Sequence, residues 1–291
     1  MEDILRPIYQ ERASQANTLG VLMIKKQQKN IPVTDTFDVV LLILVKEAEI
    51  PIYVKHYTYN DQKAALYMIT DEQLREWILL GTNKKVFDWL YNGKIMFERN
   101  EYFQKIITEL RDFPFNGRKL KMGIEFAKLI RRYMDGKALF ENGHYLDTYN
   151  HVVHSLHHLA RLALIEQGFH PEVTVWQQIK QIEPEILKLY EELISSQEPL
   201  DKRLELLFLA SEFLIHSKIK SGTIHFVEVL SEKEFWSINE MMDHKELHHY
   251  AVDLGMLLEY LIDRNIIEVV TIETKGKGVY HRYYKLSKKL S

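Results

Sequence analysis

Apolar residues form short runs in the first third of the chain and helical stripes thereafter. Residues 3–16 place Ile4, Leu5 and Ile8 on one face of a helix. Residues 18–24 and 37–45 are runs of strand length rich in Val, Ile and Leu, separated by a polar loop containing Pro32. The second run is apolar without alternation, the pattern of a strand covered on both faces. Residues 52–59 and 64–69 continue the strands, with Asn60-Asp61 as the turn between them. Thr70, three residues before Gln73, opens a helix that groups Leu74, Trp77 and Ile78. Residues 1–113 therefore read as a small mixed α/β domain that leaves through a loop at 113–117.

Helical spacing then takes over in residues 119–141, 145–167, 182–195 and 200–218, which predicts a bundle of four or five helices. The last segment changes again. Ser237 and Glu240 form a second capping box, which opens a short helix through Met242. A longer helix is predicted from Glu246 to Asp263, followed by strands at 266–273 and 279–286 around a Lys/Gly hairpin. Helix, turn, helix and a two-stranded wing is the winged-helix order. The fold class expected is α+β, with domains at 1–116, 117–220 and 221–291.

Composition removes several functions. Of 291 residues, 46% are hydrophobic, which excludes wholesale disorder. Lys and Arg number 38 against 41 Asp and Glu, so any phosphate-binding field is local. The chain has no cysteine, so disulfides, zinc–thiolate sites and a cysteine nucleophile are excluded, and a metal would need His, Asp or Glu. The opening Met-Glu-Asp-Ile-Leu-Arg lacks the pattern of a signal peptide, and the apolar run at 39–45 is too short for a bilayer; a cytoplasmic protein with no membrane partner is expected.

The helix, the strand containing Gly20, the loop and the Asp35-Thr-Phe-Asp38-Val-Val-Leu-Leu pattern resemble the nucleotidyltransferase domain of polymerase-beta-like enzymes. The stretches 136–140, 143–147 and 154–160 are similar to the bundle that follows such domains in kanamycin-nucleotidyltransferase-type proteins. The whole chain most resembles the YgxA-like nucleotidyltransferase-like family of Gram-positive bacteria. That resemblance implies Mg²⁺ and NTP as cofactors, with Gly20 at the phosphate turn and Asp38 and Asp35 as metal ligands and catalytic acids. Active members carry two strand carboxylates spaced i and i+2, which face the same way and clamp two cations roughly 3.5–4 Å apart. Here Val21 follows Gly20 where a Ser is usual, Val40 stands two residues after Asp38, and residues 64–69 bring no third acid. As a plain loop-to-strand turn, Asp35 and Asp38 also have an ordinary reading.

On a helical wheel of residues 145–163, Asp147, His151, His154 and His158 share a face opposite Val152, Leu156, Leu159 and Ala163. Spacing of four residues suits a shared metal; the same face also reads as a ligand-lining surface or as a solvated or interhelical one. Between Thr274 and Ser291, Lys275, Lys277 and Arg282 are accompanied by other basic residues and no acid, a pattern for phosphate contact with DNA. The helix preceding that wing is acidic, with Glu246, Asp253, Glu259 and Asp263, which suits packing or protein contacts instead.

Three functions fit. The first is a nucleotidyltransferase-like protein with degenerate motifs that binds a nucleotide or other small ligand between its first two domains and acts through its winged helix. The second is an active Mg²⁺-dependent enzyme transferring NMP to a hydroxyl, and the third a protein-interaction scaffold with an empty cleft.

Overall fold

The computed structural model describes residues 2–26, 34–83, 85–113 and 115–287, and the chain divides into two compact units, Met1–Phe113 and Pro114–Ser291. Lys288 and Lys289 of the basic tail lie outside the described residues.

The first unit is built on a five-stranded sheet in the order β3-β4-β2-β1-β5. Its strands are β1 (Thr18–Lys25), β2 (Val39–Val45), β3 (Ile52–Tyr59), β4 (Gln62–Thr70) and β5 (Lys94–Glu98). Strands β2 and β4 run parallel and the other pairings are antiparallel. The non-alternating β2 is central and buried at every position. Val39, Leu41, Ile43 and Val45 face helix α1 (Glu2–Ser14), meeting Leu5 and Tyr9. Val40, Leu42 and Leu44 face the other layer, made by α2 (Asp71–Leu80), α3 (Val86–Asn92) and α4 (Tyr102–Asp112). Asn60 and Asp61 both adopt positive φ (43° and 63°), as a tight hairpin between right-twisted strands requires. Only half of the first capping box forms. Thr70 Oγ1 accepts from Gln73 N at 3.1 Å, while the Gln73 amide turns to Glu76. Elements α3, α4 and β5 add to the sequence reading.

The 27-residue helix α5 (Phe115–Glu141) opens the described part of the second unit, so residues 115–117 of the predicted exit loop are instead its first turn. It is followed by α6 (Tyr145–Glu166), α7 (Val175–Ile182), α8 (Pro184–Ser195), α9 (Leu200–Ser217) and α10 (Ile219–Leu230). Helices α7 and α10 are additional to the expected bundle, and α10 supplies the first helix of the winged-helix segment. Next come α11 (Ile238–Asp243), α12 (Leu254–Asp263), β6 (Ile267–Glu273) and β7 (Tyr280–Leu286). The capping box of α11 is complete: Glu240 N donates to Ser237 Oγ, and Ser237 N donates to Glu240 Oε2. The single helix predicted over 246–263 is a correction. A 3-10 turn spans His248–Asp253, and Ala251 at φ 41°, ψ −120° breaks it from α12. An Ala in that region is strained, held only because its surroundings over-determine it. Tyr250 is buried and Arg131 of α5 donates to the next carbonyl, Val252 O, at 3.1 Å.

Candidate functional site

In the first unit, Asp38 sits just before β2 and is hydrogen-bonded into the sheet. Its N donates to Lys63 O, and its Oδ2 accepts from Lys63 N, both at 2.8 Å. Asp35 lies in the turn from Thr34 to Phe37, with φ 52°, and its exposed carboxylate pairs with Lys85. The two acids are thus held by different partners. Val40 follows Asp38 by two residues, on the same face of the strand. It is 1% exposed, inside the apolar cluster of Leu42, Ala65, Val86, Trp89 and Leu90.

Gly20 is remote from both acids. It pairs with Leu44, six residues beyond Asp38 along β2, which at about 3.3 Å per residue is roughly 20 Å away. A Cβ at Gly20 would collide with the Phe103 ring of α4. Close packing therefore explains this glycine without any phosphate.

In the second unit, the histidine face divides. Asp147 and His154 are exposed. His151 and His158, seven residues apart, turn toward α5 instead. At Gly136 of α5 an added Cβ would lie 3.1 Å from His151 Cβ, so the helices meet closely there, and His151 Nδ1 is buried without a hydrogen-bond partner. His158 Nδ1 donates to Glu125 Oε2 at 2.9 Å. Among the described residues no group of three His, Asp or Glu stands ready for a metal ion.

Glu125 is the centre of a cluster that the sequence reading did not single out. It is 2% exposed, accepts from Arg161 Nε at 3.1 Å, and has Lys128 Nζ at 4.0 Å. Burial alone would raise its pKa. Arg161 and the bond from His158 outweigh burial and hold the carboxyl below the usual carboxylate range. Lys121, buried one turn before Glu125, is pushed down to about 7, chiefly by burial and then by the Arg161 charge, with Glu125 opposing. The signal was present in the sequence: Lys121, Glu125 and Lys128 recur at helical spacing beside the apolar Met122, Phe126 and Leu129.

Helix α5 also carries the winged-helix segment. Gly123 leaves room for the Tyr250 hydroxyl, and Gly222 of α10 packs on the Phe126 ring; a Cβ at either glycine would collide. Tyr250 OH lies 3.0 Å from His225 Nδ1, and His225 Nε2 lies 3.1 Å from Glu246 Oε2. Burial, the largest influence, lowers the His225 pKa against the pull of Glu246. Where α5, α9 and the end of α12 meet, a cavity of about 420 Å³ is lined by Tyr133, Lys137, Glu212, Tyr260, Asp263 and Arg264. Arg264 pairs with Glu212 at 2.9 Å, and the Tyr260 hydroxyl is buried without a hydrogen-bond partner.

On the wing, Lys275 and Lys277 are exposed on the hairpin, whereas Arg282 pairs with Glu259 of α12 at 2.9 Å. The outward positions of α12 are Gly255, Met256, Glu259 and Asp263, which bring no cation. Among the described residues, no helix is long and apolar enough to cross a membrane.

Three family models match the chain in order. A nucleotidyltransferase-like model covers residues 1–118, a YgxA-like substrate binding domain covers 119–218, and a helix-turn-helix domain covers 224–286. The uncharacterized protein YgxA of Bacillus subtilis (strain 168) is 54% identical over 288 residues, 99% of this chain and 98% of that protein. The crystal structure of a nucleotidyltransferase-like protein from Exiguobacterium sibiricum 255-15 matches with a TM-score of 0.84 at 39% identity, covering 98% of this chain and 99% of that one.

Proposed function

The chain belongs to the YgxA-like nucleotidyltransferase-like family, and from that premise we propose that it binds a nucleotide or other small ligand without two-metal transfer and acts through its helix-turn-helix domain. The observation that carries this reading is Val40, buried in an apolar cluster where the second metal-binding carboxylate would have to stand. A carboxylate there would lose its hydration to aliphatic and aromatic neighbours, a cost of several kcal/mol that no partner offsets. Asp38 and Asp35 do not make up the deficit, because one is tied to the start of β4 and the other to Lys85. The acids present do not fit a two-cation centre.

The helical domain supports the ligand half of the proposal. Asp147 and His154 are exposed on α6, while His151 and His158 turn toward α5. Helix α5 bears both the Glu125 cluster and the docking face for Tyr250.

Calorimetric titration with each NTP, with and without Mg²⁺, tests the reading, repeated on Asp38→Asn. Nucleotide affinity that neither needs Mg²⁺ nor changes in the variant supports it. Metal-dependent binding that vanishes in Asp38→Asn overturns it in favour of the active transferase, and absence of binding to any NTP removes the nucleotide as the ligand.

The exposed Lys275 and Lys277 favour a second reading for the C-terminal domain, a weak phosphate contact with DNA through the hairpin alone. Binding in a low-salt mobility shift should fall when both are changed to Ala. The acidic outward face of α12 and the Arg282–Glu259 pair argue against sequence readout by the helix.

A further inference from the structure

The cavity of about 420 Å³ in the second unit is walled by one face of α5, by α9 and by the end of α12. Small-molecule sites span roughly 300–1,000 Å³, so its size suits a small ligand. Two buried tyrosines, Tyr133 and Tyr260, are 4% and 3% exposed and form its floor. The Tyr133 hydroxyl donates to Glu212 Oε2 at 3.4 Å and has Tyr260 and Arg264 among its electrostatic neighbours, so these groups lie together. Tyr260 is different. Its hydroxyl is shut off from water and makes no hydrogen bond, while the Arg264 guanidinium stands 5.2 Å from its ring centre. A buried donor left unpaired is destabilising, and folded proteins keep few of them. The rim is charged: Lys137, Glu141 and Asp263 are exposed and enter no ion pair among the described residues, whereas Arg264 and Glu212 pair with each other at 2.9 Å.

We propose that this cavity binds a small zwitterion, one ammonium and one carboxylate on a molecule the size of a free amino acid. The Tyr260 hydroxyl, the remaining N–H groups of Arg264 and the Lys137 ammonium are donors for the carboxylate. Glu141 and Asp263 receive the ammonium. Both charges are needed. Three carboxylates against two cations make the lining net acidic, so a phosphate ester meets repulsion there. A simple amine, in turn, leaves the Tyr260 hydroxyl unanswered. The tyrosine ring faces, Met134 and Ala138 give the apolar wall against which a side chain can rest. Tyr133, Lys137, Glu141 and Glu212 belong to the region matched by the substrate binding domain, and Tyr260, Asp263 and Arg264 to the helix-turn-helix domain. An occupant therefore bridges the two. The site stands independently of the nucleotide reading, which the NTP titration tests by itself.

Thermal melts and calorimetry on the full chain, with each common amino acid in turn, test the proposal. At least one amino acid should raise Tm in proportion to its occupancy. Its N-acetyl and amide derivatives, each lacking one of the two charges, should not. Tyr260→Phe removes only the unpaired hydroxyl, so without ligand it should melt no lower than the parent, while its affinity for the amino acid falls about tenfold or more. Glu141→Gln, at the exposed rim, should weaken binding with an unchanged far-UV circular dichroism spectrum. A melt that no amino acid shifts overturns the proposal, as does a derivative that binds as well as its parent compound. Affinity that survives both variants overturns it too, because the ligand then sits elsewhere. A ligand-free Tyr260→Phe that melts well below the parent does the same, since the hydroxyl is then already satisfied within the chain.

Discussion

The head of β2 and the seam between α5 and α6 are opposite treatments of charge. At β2, where active nucleotidyltransferases carry paired acids, the inward position is Val40 and the surroundings are wholly apolar. At the α5–α6 seam, in a bundle where apolar packing was expected, Glu125 is buried with Arg161, His158 and Lys121 around it. Burying a charge is costly unless it is paired and hydrogen-bonded, so the second arrangement persists only with its partners intact.

The sharpest way to break that contrast is to remove Glu125. Glu125→Ala leaves Arg161 and Lys121 buried without their counter-charge and should cost about 3–5 kcal/mol in urea denaturation. A loss near zero would mean the cluster is solvated and the contrast false. Next in size is Gly123→Ala, which drives a Cβ into the Tyr250 hydroxyl and should cost about 1–3 kcal/mol; Gly20→Ala, against Phe103, should be comparable.

A pH series comes third. Lys121 has a folded pKa of about 7 against an ordinary 10.5, so between those values the unfolded chain holds the extra proton. Stability should therefore rise with pH across that window, by at most about 1.4 kcal/mol per pH unit from this group. In Lys121→Met that contribution should be absent, which thermal melts at a series of pH values will read. The smallest effect belongs to Asp38→Asn. It weakens one hydrogen bond to Lys63 N and should cost about 1 kcal/mol, far less than Glu125→Ala.

Legibility in the sequence followed how local each signal was. The sheet's central strand, the Asn60-Asp61 hairpin and the α11 capping box were readable because each is set by neighbouring residues. Helix α4 went unread, although Phe103, Ile106 and Leu110 mark its buried stripe, because its short neighbours α3 and β5 blur the segment. The break at Ala251 was not readable either, because the periodicity runs through it without a local signal. For the site residues, the wheel set the histidines apart from the apolar stripe but could not say what faced them, and the structure divides that face. His158 and His154 look alike in sequence; only the position of Glu125, on another helix, distinguishes them.

The fit of Tyr250 over Gly123 has a practical corollary for dissecting the protein. Bundle and helix-turn-helix domain form one compact unit, so a fragment ending near residue 218 would bare the flank of α5 that Tyr250 and Tyr260 now cover. A fragment starting near residue 224 would lose the rod against which its aromatic residues are buried. Expression trials that cut at the border between family models should yield sticky, poorly behaved pieces, whereas a cut near residue 114 respects the grain of the molecule.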